Sequence, residues 1–137
     1  MILHPAVVVH GLDHLQGALG PGLPVTILSA PGAALFAGCL WWRALIGHGR
    51  AEFPLATFED ILDCADAPGQ AMAALRIGQR MLVLDPACPA FTTVRAVAGT
   101  LGALVLGSRP AALDLAAAGS AHRLLAWLEG DRTGGVR

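Results

Sequence analysis

The 137 residues are enough for one domain with a real core; 55% are hydrophobic and only 14% charged, which excludes a disordered chain. Nine Arg, no Lys and ten acidic residues leave a net charge of −1, and the Arg residues are scattered from Arg43 to Arg137, so electrostatic binding of nucleic acid is not expected. Cys39, Cys64 and Cys88 form no CxxC pair and no repeating spacing, which argues against a disulfide framework or a zinc ribbon and fits a reducing cytoplasm.

In chain order, Met1-Ile2-Leu3-His4-Pro5 lacks the basic n-region of a signal peptide. Ala6-Val7-Val8-Val9-His10 is a continuous, β-branched apolar run broken by Gly11, as expected of a buried strand. Leu12, Leu15 and Leu19 then recur at helical spacing, with Asp13 in the first turn and Gly20-Pro21-Gly22 as the stop. Val25 to Trp42 approaches membrane-span length without a charge, but Pro31-Gly32 divides it into a strand, Val25-Thr26-Ile27-Leu28-Ser29, and a helix from Gly32 to Arg50, so no membrane span is expected. Trp41 and Trp42 point about 100° apart on a helix. One core cannot easily bury both, so helix 32–50 is the expected surface for a homo-oligomer, simplest as a dimer, with Trp41 or Trp42 at the contact.

Thr57 to Cys64 reads as a third strand, and Glu59 and Asp60 suit an exposed or edge position. Pro68 opens a helix whose body is Gln70 to Ile77, stopped by Gly78. Met81 to Leu84 is the central strand; it ends on Asp85 and hands over within four residues to a helix opening at Pro89, with Phe91, Val94, Ala98 and Leu101 on one stripe. Ala103 to Leu106 is the fifth strand, an Ala-rich stretch follows, and a last helix runs from about Ser120 to Glu129. Strands alternating with helices predict an α/β fold: a three-layer open sheet of about five mostly parallel strands with helices on both faces, which resembles Rossmann-like and flavodoxin-like architectures. The expected layout is a single domain over 1–130 with a loose tail over 131–137.

Ligands of open parallel sheets sit beyond the carboxyl ends of the strands, where strand order reverses. With order 3-2-1-4-5 the loop from His10 to His14 faces Asp85 to Cys88; with order 2-1-3-4-5 it faces Asp63 to Asp66. The candidate ligand-binding residues are accordingly His10, Gly11, Asp13, His14, Ser29, Gly32, Asp63, Asp85 and Arg109. Ser29 to Gly32 joins a strand to a helix N-terminus, a geometry that accepts an anion, and Arg109 can pair with one bidentately. The same polar residues also suit any strand leaving a core.

The candidate catalytic residues are His10 and Asp85 for acid–base work and Cys88 as a nucleophile, placed at the N-cap of the helix after Pro89, where the dipole favours a thiolate. Two His and a distant Asp lack a specific metal spacing, so no metal site is expected, and no G-x-G-x-x-G or P-loop is present to name a cofactor. The expectation is a small, self-associating α/β domain that binds a small anionic ligand. The alternatives are an enzyme using these residues and a partner-binding module without a small-molecule site.

Overall fold

Strands and helices alternate along most of the computed structural model, which describes residues 3–130, except where two helices and then two strands follow one another. The strands are β1 (Ala6–Val9), β2 (Val25–Ser29), β3 (Phe58–Asp63), β4 (Met81–Val83), β5 (Leu104–Leu106) and β6 (Ala112–Asp114). The helices are α1 (Leu12–Leu19), α2 (Ala33–Phe36), α3 (Cys39–Glu52), α4 (Pro68–Arg76), α5 (Phe91–Thr100) and α6 (Ser120–Leu128). The strands form one parallel, six-stranded open sheet in the order β5-β4-β3-β2-β1-β6, so the expected α/β class is what the chain forms, with one strand more than the sequence suggested.

Neither expected strand order is found. Strands β2 to β5 are laid down successively on one flank of β1, and β6 takes the other flank. The expected orders leave that flank to a strand already counted, because Ala112-Leu113-Asp114 carries no β-branched residue and reads as part of an Ala-rich stretch. The tail expected over 131–137 lies outside the described residues. Among the described residues, no helix is long and apolar enough to cross a membrane.

By internal contacts the chain groups into two compact units. The first comprises, among the described residues, 3–28, 45–60 and 110–130. Its centre is β1, in which every side chain is buried. β6 pairs with it in parallel, Ala6 opposite Ala112, Val7 opposite Leu113 and Val8 opposite Asp114. On the other flank the Thr26 amide donates to the Pro5 carbonyl at 2.9 Å. α1 buries Leu15, Ala18 and Leu19, and α6 buries Trp127, whose indole N–H donates to the Ala6 carbonyl at 2.7 Å. Asp60 is not at an exposed edge: β3 lies inside the sheet, and the Asp60 side chain is buried with Arg50 3.5 Å away. The Arg50 guanidinium also lies over the Phe58 ring, 4.2 Å from its centroid, so the charge is matched by an opposite charge and an aromatic face.

The second unit comprises 29–44 and 61–109. The end of β3 pairs with β4, Leu62 opposite Leu82 and Asp63 opposite Val83, and β4 pairs with β5 from Met81 opposite Leu104. α4 opens with Pro68 in its first turn, where a missing N–H costs nothing, and buries Ala71, Ala74 and Leu75; α5 buries Val94 and Ala98. The single helix expected over 32–50 is broken. α2 ends after one turn, Gly38 adopts φ 87°, and α3 starts anew at Cys39. A left-handed residue redirects the chain, and glycine takes that conformation without steric cost. The outcome is that Trp42 is fully buried while Leu35, Phe36, Leu40 and Trp41 stay exposed, Phe36 at 72% and Leu40 at 73%. Cys39 is half-buried at the start of α3.

Two glycines of α3 make opposite predictions. A Cβ on Gly47 would meet nothing, whereas one on Gly49 would lie 2.7 Å from Leu15 Cδ2 and 3.2 Å from Leu19 Cδ1, both in the core. Gly47→Ala should stabilise the fold by about 0.5–1 kcal/mol through helix propensity, and Gly49→Ala should destabilise it by about 1–3 kcal/mol through overpacking. Urea unfolding of both variants checks the signs.

Candidate functional site

The five consecutive residues His10 to His14 line an open pocket of about 320 Å³. Three local features put them there. β1 ends at Val9, the bare Gly11 allows an immediate turn into α1, and α1 begins at Leu12 with no side chain capping its first amides. Four of the expected ligand-binding residues, His10, Gly11, Asp13 and His14, therefore stand on one wall. β1 is also where strand order reverses, with β2 on one flank and β6 on the other. The segment that meets His10 across that switch point is β6 with the loop after it.

Asp114, the last residue of β6, is the site residue that sequence reading missed. Its Oδ1 lies 2.8 Å from His10 Nε2, and it also accepts the Ala116 amide at 2.9 Å, which fixes the carboxylate in a turn of its own. The side chains are 35% exposed for His10 and 31% for Asp114, so the pair is open to solvent. An ionised carboxylate only accepts, so His10 Nε2 carries the proton and a neutral ring keeps its lone pair on Nδ1. The His10 amide donates to His14 Nδ1 at 3.0 Å, which leaves the proton of His14 on Nε2. The rings meet edge to face with centroids 5.5 Å apart. Neither His10 Nδ1 nor His14 Nε2 has a hydrogen-bond partner among the described residues. One acceptor and one donor are thus left unpartnered on two residues that line the same pocket.

The second unit gathers three more of the expected residues, Ser29, Asp63 and Arg109, in a self-satisfied cluster. Ser29 Oγ accepts the Asp63 amide at 2.9 Å and donates to the Ala30 carbonyl at 3.0 Å. Asp63 is buried; its Oδ1 accepts the Ala65 amide at 2.7 Å and its Oδ2 accepts Arg109 Nη1 at 2.7 Å. Ala65 is the non-glycine residue with positive φ among those described, at 50°, and this tight corner at the end of β3 is held by the Asp63 carboxylate. Arg109 therefore compensates a buried charge and is not a bare anion receptor.

The other candidates stand apart. Gly32 caps α2, but that helix has only four residues. Asp85 is exposed, and its Oδ1 accepts the Ala87 amide at 2.9 Å within its own turn. Cys88 is buried and lies two residues ahead of Ala90, the N-cap of α5, so it does not occupy the N-cap position on which its activation was argued. Cys64 is fully buried, and its thiol is pushed up to about 12 by desolvation first and by the neighbouring Asp63 and Cys39 second. It is a protonated, inert thiol at neutral pH. Among the described residues, no three His, Cys, Asp or Glu side chains come together to hold a metal ion. No protein-family model matches the chain, and no curated protein is significantly similar to it in sequence.

Two outcomes follow from the second unit. Arg109→Ala leaves the buried Asp63 carboxylate without its counter-charge and should destabilise the fold by roughly 3 kcal/mol in urea unfolding, with the His10–His14 pocket unaltered. For Cys64 the unfolded thiol ionises near its ordinary value of 9.0 while the native thiol holds its proton to about 12. The unfolded chain alone sheds a proton within that window, so stability must fall as pH rises from about 9 toward 12 and be unaffected by this group below it. The urea midpoint should drop between about pH 8 and about pH 10.5, and Cys64→Ala should lack that part of the drop.

Proposed function

We infer that this chain is a ligand-binding α/β domain that takes a small, uncharged polar molecule in the pocket at the carboxyl end of β1. The observation that carries this reading is the pair of unpartnered imidazole nitrogens, an acceptor on His10 and a donor on His14, at the place where open parallel sheets bind their ligands. An anion is the sequence-based expectation, resting on the Ser29 to Gly32 turn and on Arg109. With Arg109 engaged by Asp63, with Asp13 among the residues that line the pocket and with Asp114 paired to His10, the local charge favours a neutral carbonyl, amide or hydroxyl group.

Self-association belongs to the same reading. Leu35, Phe36, Leu40 and Trp41 expose a run of large apolar side chains along α2 and the start of α3, more than an isolated surface residue requires. Trp41 is the tryptophan available to such a contact, since Trp42 is fully buried.

A thermal-shift panel of neutral amides, esters, ketones and polyols against phosphate and carboxylates tests the ligand class, because a ligand bound by the native state alone raises the apparent stability. Neutral carbonyl compounds should stabilise the protein, and His14→Ala should weaken the best of them about tenfold, the loss of one good hydrogen bond. Stabilisation by anions alone would reverse the assignment of ligand charge. Light scattering should show a dimer that a Phe36→Ser, Leu40→Ser double variant returns to monomer.

A further inference from the structure

The pocket also holds the parts of a hydrolytic centre. We propose that His10 is a general base that activates water against a small uncharged ester, with His14 donating to the carbonyl oxygen and Asp114 as the positioning residue; this rests on the ligand reading above.

The roles follow from the hydrogen bonds. Asp114 accepts the Nε2 proton of His10 at 2.8 Å, so the ring is held in the tautomer whose lone pair sits on Nδ1, the nitrogen without a protein partner among the described residues. A carboxylate in this position orients an imidazole and stabilises its protonated form. His14 is held in the complementary tautomer by the His10 amide, and its Nε2–H is free to donate. No side chain caps the first turn of α1, whose residues Leu12, Asp13 and His14 line the same pocket. Donors that precede the reaction and need no rearrangement are what a developing oxyanion requires.

Balanced explicitly, Nδ1 of His10 takes a proton from water as the oxygen adds to the ester carbon. The carbonyl π pair moves onto the oxygen facing His14 Nε2–H. Collapse of that intermediate re-forms the carbonyl and breaks the bond to the alkoxy group, which leaves with the proton from Nδ1. His10 ends as it began, and water, ester, acid and alcohol balance without an oxidant, reductant or cofactor.

Two features select this chemistry. The pocket is open, so water reaches Nδ1, which favours hydrolysis over proton abstraction from carbon, a step that benefits from a dry site. Leu12 presents an exposed apolar side chain on the same wall for a short acyl group, while Asp13 disfavours a negatively charged substrate.

The test is hydrolysis of p-nitrophenyl acetate by the full chain beside equimolar imidazole and beside His48→Ala, which removes an exposed histidine outside the pocket. The expected result is saturable turnover well above that of imidazole, slower in D2O, unchanged in His48→Ala and reduced roughly a hundredfold or more in His10→Gln, whose amide keeps a hydrogen bond to Asp114 but offers no base. His14→Ala should lose about a hundredfold in kcat. Asp114→Asn should lose at least about tenfold and should also move the His10 15N resonances to the other tautomer, a signature that a merely structural role would not produce. Non-saturable hydrolysis at the level of imidazole, or activity that survives His10→Gln, overturns the catalytic proposal. Binding is read separately from the imidazole resonances with N-methylacetamide as a non-hydrolysed probe. Perturbed His10 and His14 signals without turnover remove the hydrolase and leave the ligand reading standing, whereas unperturbed signals without turnover remove both.

Discussion

A strand whose side chains are all buried has no water for its backbone, so every amide and carbonyl must find a partner in the protein. β1 is such a strand, with Val7 and Val9 essentially inaccessible. One of its edges is met at its start by the Thr26 amide, at the Pro5 carbonyl. The other would be left open by a sheet of the five strands legible as apolar runs. β6 closes it, and the Trp127 indole takes a further lone pair of the Ala6 carbonyl. The requirement that β1 be fully paired thus brings back a segment more than a hundred residues distant in sequence, and that segment ends on Asp114. The carboxylate beside His10 is a product of backbone satisfaction.

This explains which parts of the molecule were legible. Ala6–Val9 and Val25–Ser29 announce themselves because consecutive β-branched residues suit a strand covered on both faces, and the glycines after them mark the turns. Ala112-Leu113-Asp114 carries no such signal, since its strand conformation is imposed by the free edge of β1 and not by its own propensities. The break at Gly38 was equally hidden, because a glycine inside a helical pattern does not reveal the sign of its φ. Half of the site was readable: His10, Gly11, Asp13 and His14 are neighbours in sequence. Its other half depended on a tertiary pairing, and Asp85, the carboxylate that seemed to fill the role, is occupied by its own turn. A short segment running Pro, two alanines, Leu, Asp after the last apolar strand is the signal that would have placed β6.

The polar residues at the strand ends have met two fates. Around Asp63 every hydrogen-bonding demand is answered from within: Ser29 serves the backbone of one corner, Ala65 takes a strained conformation beside the carboxylate, and Arg109 supplies the opposite charge. Around His10 the demands are answered only in part, and what remains unanswered is one acceptor and one donor. The first arrangement adds order to a loop, and the second keeps capacity for a molecule that is not protein. Both arise from the same rule that buried or half-buried polar atoms seek partners.

The pairing of Val8 with Asp114 also makes the site depend on a count. Successive residues of a strand face opposite sides of the sheet, so sliding β6 by a single position would turn the carboxylate away from the His10 ring and bring Leu113 or Leu115 into its place. No gradual loss lies between those arrangements: inserting or deleting one residue ahead of Ala112 would either be absorbed in the preceding loop or exchange an acid for a leucine. The length of that loop is as much a part of the site as the imidazoles.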